Sequence, residues 1–371
     1  MLGVLWIGSE MLNNVQYLRG IAAVMVVAFH VLAPTARLDG QTAIPQFYAG
    51  QGGVDLFFVI SGFIIWFTTR KGEQDPWRFL VRRLKRIIPL YWVLTILMAA
   101  IAFVLPGVML TTVFDLQHLV ASLLFVPWPH PHVSDLIPVL FVGWSLNYEM
   151  AFYLVFALTI PFVPLARGGI AVVVGLAFVG LGLAIDDTGL WDFYTEPIII
   201  EFLFGIMIAI AFASSLRLPL PLSMGLVLGG FIAMVFLAGP ELDRLYWAGL
   251  PSLMIVTGVV FWEKQRRTRP AVFPMLLGAA SYAIYLSHVF VLPASQTLWT
   301  YALPQIAGGW VLIYGVSVGA ACLFVGVATY LMLEIPLSHA VDALEEKLAL
   351  DPGRRRPPKL LATRYLQVLR P

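Results

Sequence analysis

The chain has 371 residues, of which 60% are apolar and only 12% carry a charge, and its mean hydropathy is +0.87. An ordinary soluble domain carries about 25% charged residues, so the composition excludes a protein that faces water all round and describes one that crosses a membrane many times. The net charge of +2 gives no reason to expect a nucleic-acid partner, and the single cysteine, Cys322, excludes a disulfide framework and suggests no thiol chemistry.

Residues 1–12 are apolar but short, without a basic leading region or a small-residue cleavage site, which argues against a cleaved signal peptide. Met11 is a plausible alternative start. Apolar runs of membrane-spanning length predict ten helices near 14–33, 52–69, 87–105, 141–163, 169–185, 197–213, 219–238, 245–262, 273–295 and 308–332. Basic residues orient them. The 70–86 loop, the 264–269 segment, the tail and two lone arginines, Arg167 and Arg217, hold 20 of the 23 basic residues and all fall on one side under an even span count. That side is expected to be cytoplasmic, with both termini there. The expected division is an integral-membrane domain over 1–337 and a basic cytoplasmic tail over 338–371.

The first span carries Arg19 near its start and His30 near its end. Eleven residues are three helical turns, about 16 Å of rise and roughly 20° of rotation, so the two share one face at two depths. Ionisable groups in a bilayer are costly and are read as a site. His30 suits a proton acceptor, because an imidazole titrates near working pH. Glu149 in the fourth span and Asp55 at the outer end of the second are the carboxylates expected to support it. Gly52 and Gly53 permit close helix approach, and Ser61 further along that span either bonds back to its own helix or takes a packing or site role.

The segment from Trp77 to Trp92 is amphipathic and basic, and reads as an interfacial helix held by anionic membrane lipid. Arg83 and Arg86 lie one turn apart within it, and guanidinium forks also suit the phosphates of a cytosolic donor. In the fourth span Trp144 and Ser145 precede Glu149, and in the ninth Ser281, Tyr282, Tyr285 and His288 place a hydroxyl, two phenols and an imidazole close together. These side chains are expected to line one wetted cavity at the depth of His30. His130 and His132, flanked by prolines, do not have a metal-ligand spacing, and no metal is expected.

These motifs together resemble acyltransferase family 3, the integral-membrane O-acyltransferases of bacterial surface polysaccharides. The opening Asn14-Val15-Gln16-Tyr17-Leu18-Arg19-Gly20 is most similar to its exopolysaccharide-modifying branch. The family's Arg-x10-His signature is met by Arg19 and His30, its Gly-Val-Asp-Leu-Phe-Phe-Val-Ile-Ser-Gly-Phe block by Gly53 to Phe63, and its Arg-x-x-Arg motif by Arg83 and Arg86. Its Trp-Ser-Leu-x-x-Glu block falls at Trp144 to Glu149 and its Ser-Tyr-x-Ile-Tyr-Leu-x-His block at Ser281 to His288. The late Glu334-Ile335-Pro336 lacks the basic middle residue common there, which weakens any role for Glu334.

The resemblance implies an all-α polytopic fold of about ten transmembrane helices in the cytoplasmic (inner) membrane. It implies an enzyme with no permanently bound cofactor. Acetyl-CoA or another acyl-CoA would be the co-substrate, bound by Arg19, Arg83 and Arg86, and the acceptor a hydroxyl of a glycan or lipid-linked oligosaccharide. His30, Glu149 and Asp55 would be catalytic. Ser61, Trp144, Ser145, Ser281, Tyr282, Tyr285 and His288 would line the cavity, orient the acceptor or polarise the thioester carbonyl. A second reading, a transporter of lipid-linked saccharides, uses the same cavity but needs no nucleotide-like donor; the Arg83–Arg86 pair and the lack of inverted repeats speak against it.

Overall fold

The computed structural model describes residues 6–7, 10–33, 47–72, 74–106, 112–132, 135–185, 189–302 and 311–347. Apart from a two-residue ladder pairing Trp6–Ile7 with Glu10–Met11, the regular structure among them is helical. In chain order the helices are α1 (Asn13–Leu32), α2 (Gly52–Thr69), α3 (Pro76–Val104), α4 (Leu116–Leu123), α5 (Trp144–Thr159), α6 (Pro164–Ala184) and α7 (Leu190–Thr195). They continue with α8 (Ile199–Ala213), α9 (Leu220–Leu237), α10 (Leu250–Gln265), α11 (Val272–Ala279), α12 (Ser281–Ala302), α13 (Val311–Thr329) and α14 (Ile335–Lys347). Nine helices among the described residues are long and apolar enough to cross a membrane; a tenth span results if α11 and the first part of α12, bent by 71°, count as one.

The expected ten runs therefore each have a counterpart, but two boundaries move. The basic segment is not a separate interfacial helix: α3 continues through it for 29 residues, a rise of about 43 Å against a hydrocarbon core of about 30 Å. Pro76 at its first position and the Asp75 carboxylate, which accepts from the backbone N–H groups of Trp77 (2.9 Å) and Arg78 (3.3 Å), start it. At the other end of the chain a π-helical stretch, Tyr330–Glu334, carries α13 into α14, which runs on past the expected boundary at 337. Lys85 Nζ meets Glu345 Oε2 at 2.5 Å and ties α14 to α3. Residues 348–371, most of the expected tail, lie outside the described residues.

Helix α2 is the centre of the bundle. Its apolar side chains on every face, from Leu56 to Phe67, are almost all buried, as expected for a helix hydrophobic all round. It meets α8 backbone to backbone, because a Cβ on Gly62 would sit 2.0 Å from the Phe202 carbonyl oxygen. The same economy joins α11 to α1, where a Cβ on Gly278 would stand 2.0 Å from the Gln16 carbonyl oxygen.

Basic side chains close the helix ends they were expected to flank. Arg167 donates to the carbonyls of Thr69 (2.8 Å), Ile160 (2.5 Å) and Phe162 (3.2 Å), serving the C-terminal ends of α2 and α5 at once. Lys264 Nζ does the same after α8, donating to Phe212, Ser214 and Leu216. Such carbonyls have no partner within their own helix and carry the negative end of its dipole, so a cation satisfies both needs. The start of α1 is the mirror case. It has no side-chain cap of its own, and the backbone N–H groups of Asn13 and Asn14 donate instead to Glu263 of α10 at 2.7 and 2.9 Å.

Candidate active site

Arg19 is the link between the first helix and the bend that follows α11. Its Nη2 donates to Ser281 Oγ at 3.0 Å and its Nη1 to Gln16 Oε1 at 3.2 Å, with the guanidinium buried. Ser281, fully buried, is the first residue of α12 after the 71° break from α11. Glu149 and Glu334 both lie within electrostatic reach of Arg19, so a buried cation is answered by two carboxylates. Glu334, set aside in the sequence for want of a basic neighbour, also acts on Arg86.

A narrow cavity of about 90 Å³ runs beside this cluster. Arg19, Arg83, Arg86, Ser61, Glu149, Tyr153, Ser145 and Tyr285 are among the residues that line it. Arg83 and Arg86 are half-buried. Arg83 Nη2 donates to Thr68 Oγ1 at 3.2 Å, and its guanidinium lies 5.4 Å from the Phe79 ring and 5.8 Å from that of Tyr153. Three guanidinium groups line one narrow slot, and each carries several donors in a fixed fork, the geometry that suits an anion.

The carboxylates do not meet His30. Glu149 Oε1 accepts from Ser61 Oγ at 3.0 Å and from the Tyr153 hydroxyl in a short bond. Asp55 is fully buried and bound bidentate by Arg244, with Nε to Oδ1 at 3.0 Å and Nη2 to Oδ2 at 2.7 Å. The expectation that Glu149 or Asp55 supports His30 is thus corrected: a helix register fixes depth, but the direction of each side chain depends on packing the sequence does not show.

His30 is paired with His288 instead. His30 Nδ1 lies 3.0 Å from the Val26 carbonyl and 3.1 Å from His288 Nε2, while His288 Nδ1 lies 3.2 Å from the Ile284 carbonyl. A carbonyl only accepts, so each Nδ1 carries the hydrogen. His30 then shares its Nδ1 hydrogen between Val26 and the bare Nε2 of His288, and its own Nε2 keeps a lone pair. Phe141 packs edge-on at 5.3 Å. Two backbone carbonyls thereby fix both tautomers without a carboxylate. Cys322, buried beneath, has its Sγ 4.0 Å from the His288 carbonyl.

The tyrosines hold the walls. Tyr282 donates its hydroxyl to the Ile87 carbonyl at 2.8 Å, and Tyr285 to Val142 at 2.8 Å while Ser145 Oγ lies 2.8 Å from the Tyr285 oxygen. A phenol has one hydrogen, so neither is left a donor for an incoming carbonyl. The expected single cavity is in fact divided. Trp144 does not line the slot but a second, wider cavity of about 380 Å³, shared with Tyr148, Glu201, Asp243 and Arg244. His130 stands edge-on to His118 at 5.3 Å, and His118 Nε2 lies 2.8 Å from the Ile137 carbonyl.

Residues 12–330 match the model of the acyltransferase domain. The chain is 38% identical over 301 residues to the exopolysaccharide production protein ExoZ of Rhizobium meliloti (strain 1021), covering 79% of this chain and 90% of that one. It is 28% identical over 316 residues to the acyltransferase MdmB of Streptomyces mycarofaciens, covering 76% and 79% respectively. No solved structure matches. With a bundle of membrane-length helices around buried cations and a tautomer-fixed histidine pair, this multi-pass chain belongs to the acyltransferase family.

Proposed function

We propose that the protein moves an acyl group, acetyl in the simplest case, from cytosolic acyl-CoA to a hydroxyl of an exopolysaccharide or its lipid-linked precursor. The observation that supports this reading is that Arg19, Arg83 and Arg86 line one slot, while His30, three turns along α1 from Arg19, has its Nδ1 held by the Val26 carbonyl and its Nε2 left for proton transfer. The likeness to the R. meliloti exopolysaccharide production protein supports the exopolysaccharide acceptor.

In this reading the donor's phosphates rest on Arg83 and Arg86, and its extended pantetheine arm passes Arg19. Reaching His30 requires about 16 Å of travel along α1, and side-chain rotation would have to widen the slot. His30 Nε2 takes the proton of the acceptor hydroxyl as the oxygen attacks the thioester carbonyl. The C–S bond then breaks, and the imidazolium returns that proton to the departing thiolate. His288 holds the ring in register. The same Nε2 could accept the acyl group itself. Labelled acetyl-CoA without acceptor separates the routes, because only the covalent one leaves label on the protein.

The test of the function is acetyl transfer by the purified protein in lipid vesicles. His30→Ala is expected to abolish transfer with the fold intact, and acetyl-CoA to raise the melting temperature of the wild type. The transport reading predicts no stabilisation by acetyl-CoA.

A further inference from the structure

We propose that residues 137–143 form a latched strap that walls His30 and keeps water off its free nitrogen, with Phe141 as the positioning residue. The proposal rests on the proton-transfer role given to His30 above and adds the part of the chain that guards it.

The strap is fastened to a fixed post. Helix α4 starts on the Asp115 carboxylate, which accepts from the backbone N–H of His118 at 2.7 Å. Two side chains of α3 hold its other end. The Tyr91 hydroxyl donates to the Ser122 carbonyl at 3.1 Å, and Trp92 Nε1 to that of Leu123 at 2.8 Å. Phe125, just past the helix, has a φ of 57° and stacks on the Tyr91 ring at 4.8 Å. A bulky side chain in the left-handed region is strained and persists only where its surroundings fix it.

Two side chains of that post latch the strap. His118 Nε2 lies 2.8 Å from the Ile137 carbonyl and carries the hydrogen, since a carbonyl only accepts. His118 is fully buried and its Nδ1 finds no partner among the described residues, so the latch is the one hydrogen bond of its ring. Ser122 Oγ accepts from the backbone N–H of Val139 at 3.0 Å. At the far end the Val142 carbonyl accepts from Tyr285 at 2.8 Å, and a Cβ on Gly143 would stand 2.8 Å from the Tyr91 ring. Between these ties Leu140 and Val142 are buried, and Phe141 reaches His30.

Phe29 and Phe141 stand at steep angles to the His30 imidazole, at 5.0 and 5.3 Å. Phe29 belongs to α1 and moves with His30, whereas Phe141 comes from the strap. Neither Phe141 nor His30 lines the donor slot, so the strap bounds the imidazole outside that slot. His30 is half-buried; an approach to it remains, and Phe141 is its separate wall. Such a wall matters because water has the acceptor's chemistry. With His30 Nε2 as base, a water oxygen could attack the thioester carbonyl. The C–S bond would break and the same proton pass to the thiolate, giving acetate and the free thiol of CoA. Segments that cover a reacting centre suppress such losses.

Full-length protein in lipid vesicles, given labelled acetyl-CoA without an acceptor, tests this through acetate release. The wild type should release little. Phe141→Ala should raise release about tenfold or more with the KM for acetyl-CoA in place, and adding His30→Ala to that variant should remove the rise. His118→Ala, which undoes the latch, should also raise release and speed hydrogen exchange at the Val139 amide. His118→Gln, whose amide can donate to Ile137, should give back part of both. Should Phe141→Ala fail to fold, Phe141→Leu should show a smaller rise of the same kind. Unchanged release in folded Phe141→Leu and His118→Ala, or a rise that survives His30→Ala, would overturn the strap. Failure of acetyl-CoA to shift the melting temperature of the wild type would overturn the acyltransferase reading instead, and exchange at Val139 would still test the latch.

Discussion

His30 Nδ1 and His288 Nε2 lie 3.1 Å apart, and each histidine's Nδ1 is turned to the carbonyl four residues before it in its own helix. The pair does what a buried carboxylate is often needed for: it fixes a tautomer and frees one Nε2 for proton transfer. His288 acts as a positioning residue for His30. His288→Ala should lower kcat at least about tenfold, equivalent to about 1.4 kcal/mol, with the KM for acetyl-CoA little changed. His288→Gln, whose amide oxygen can accept from His30 Nδ1–H, should recover part of the loss. Equal damage from both variants would point to packing alone.

Arg83 and Arg86 are expected to act through donor binding. Replacing either with Ala should raise the KM for acetyl-CoA about tenfold or more, the scale of a lost charge-assisted contact of about 1.5–3 kcal/mol. Lysine should rescue poorly because it lacks the planar fork. Titration of acetyl-CoA into wild type and variants checks both statements, and an unshifted KM would remove these residues from the donor site.

Asp55 and Arg244 form a structural anchor rather than a catalytic support. The carboxylate is fully buried and bidentate, and removing one partner of such a pair costs about 3–5 kcal/mol. Asp55→Asn should therefore lower the unfolding temperature in detergent markedly, and the Asp55→Asn, Arg244→Leu double variant should be less damaging than the sum of the two single ones.

Much of this was legible in the chain. The spans, the basic clusters and the polar residues of α1, α5 and α12 could be read from hydropathy and spacing. The partners could not. Glu149 sits four residues from Ser145 and shares its face, yet it bonds Ser61 and Tyr153, because the rotation of α5 against α2 and α3 is set by packing. Glu263 capping α1 from a position 249–250 residues away leaves no local signature at all. In the sequence Arg244 is only one of three basic residues that do not fall on the basic side. What marks it is Asp55, and only the fold brings the two together.

The crossing of α2 and α8 should be intolerant of a single methyl group. Gly62→Ala places a carbon against the Phe202 carbonyl at 2.0 Å and should cost about 1–3 kcal/mol of stability by overpacking. Gly180→Ala, where nothing lies within 4 Å, should be neutral or slightly stabilising in the same thermal melt.

The loss of Glu263 should loosen the start of α1. Glu263→Ala removes the acceptor of the Asn13 and Asn14 N–H groups and is expected to cost about 0.5–2 kcal/mol, the range of a lost helix cap. Hydrogen exchange at the first turn of α1 should rise in this variant while that of α2 stays unchanged.

The central claim is that the line from Arg19 to His30 carries acyl transfer. It is tested most directly by measuring transfer of labelled acetyl from acetyl-CoA to the glycan precursor with purified wild type and His30→Ala, each confirmed folded by thermal melting. The account predicts transfer by the wild type and a loss of at least about 100-fold in the variant, the lower end of what a general base contributes. Transfer retained by His30→Ala would contradict it.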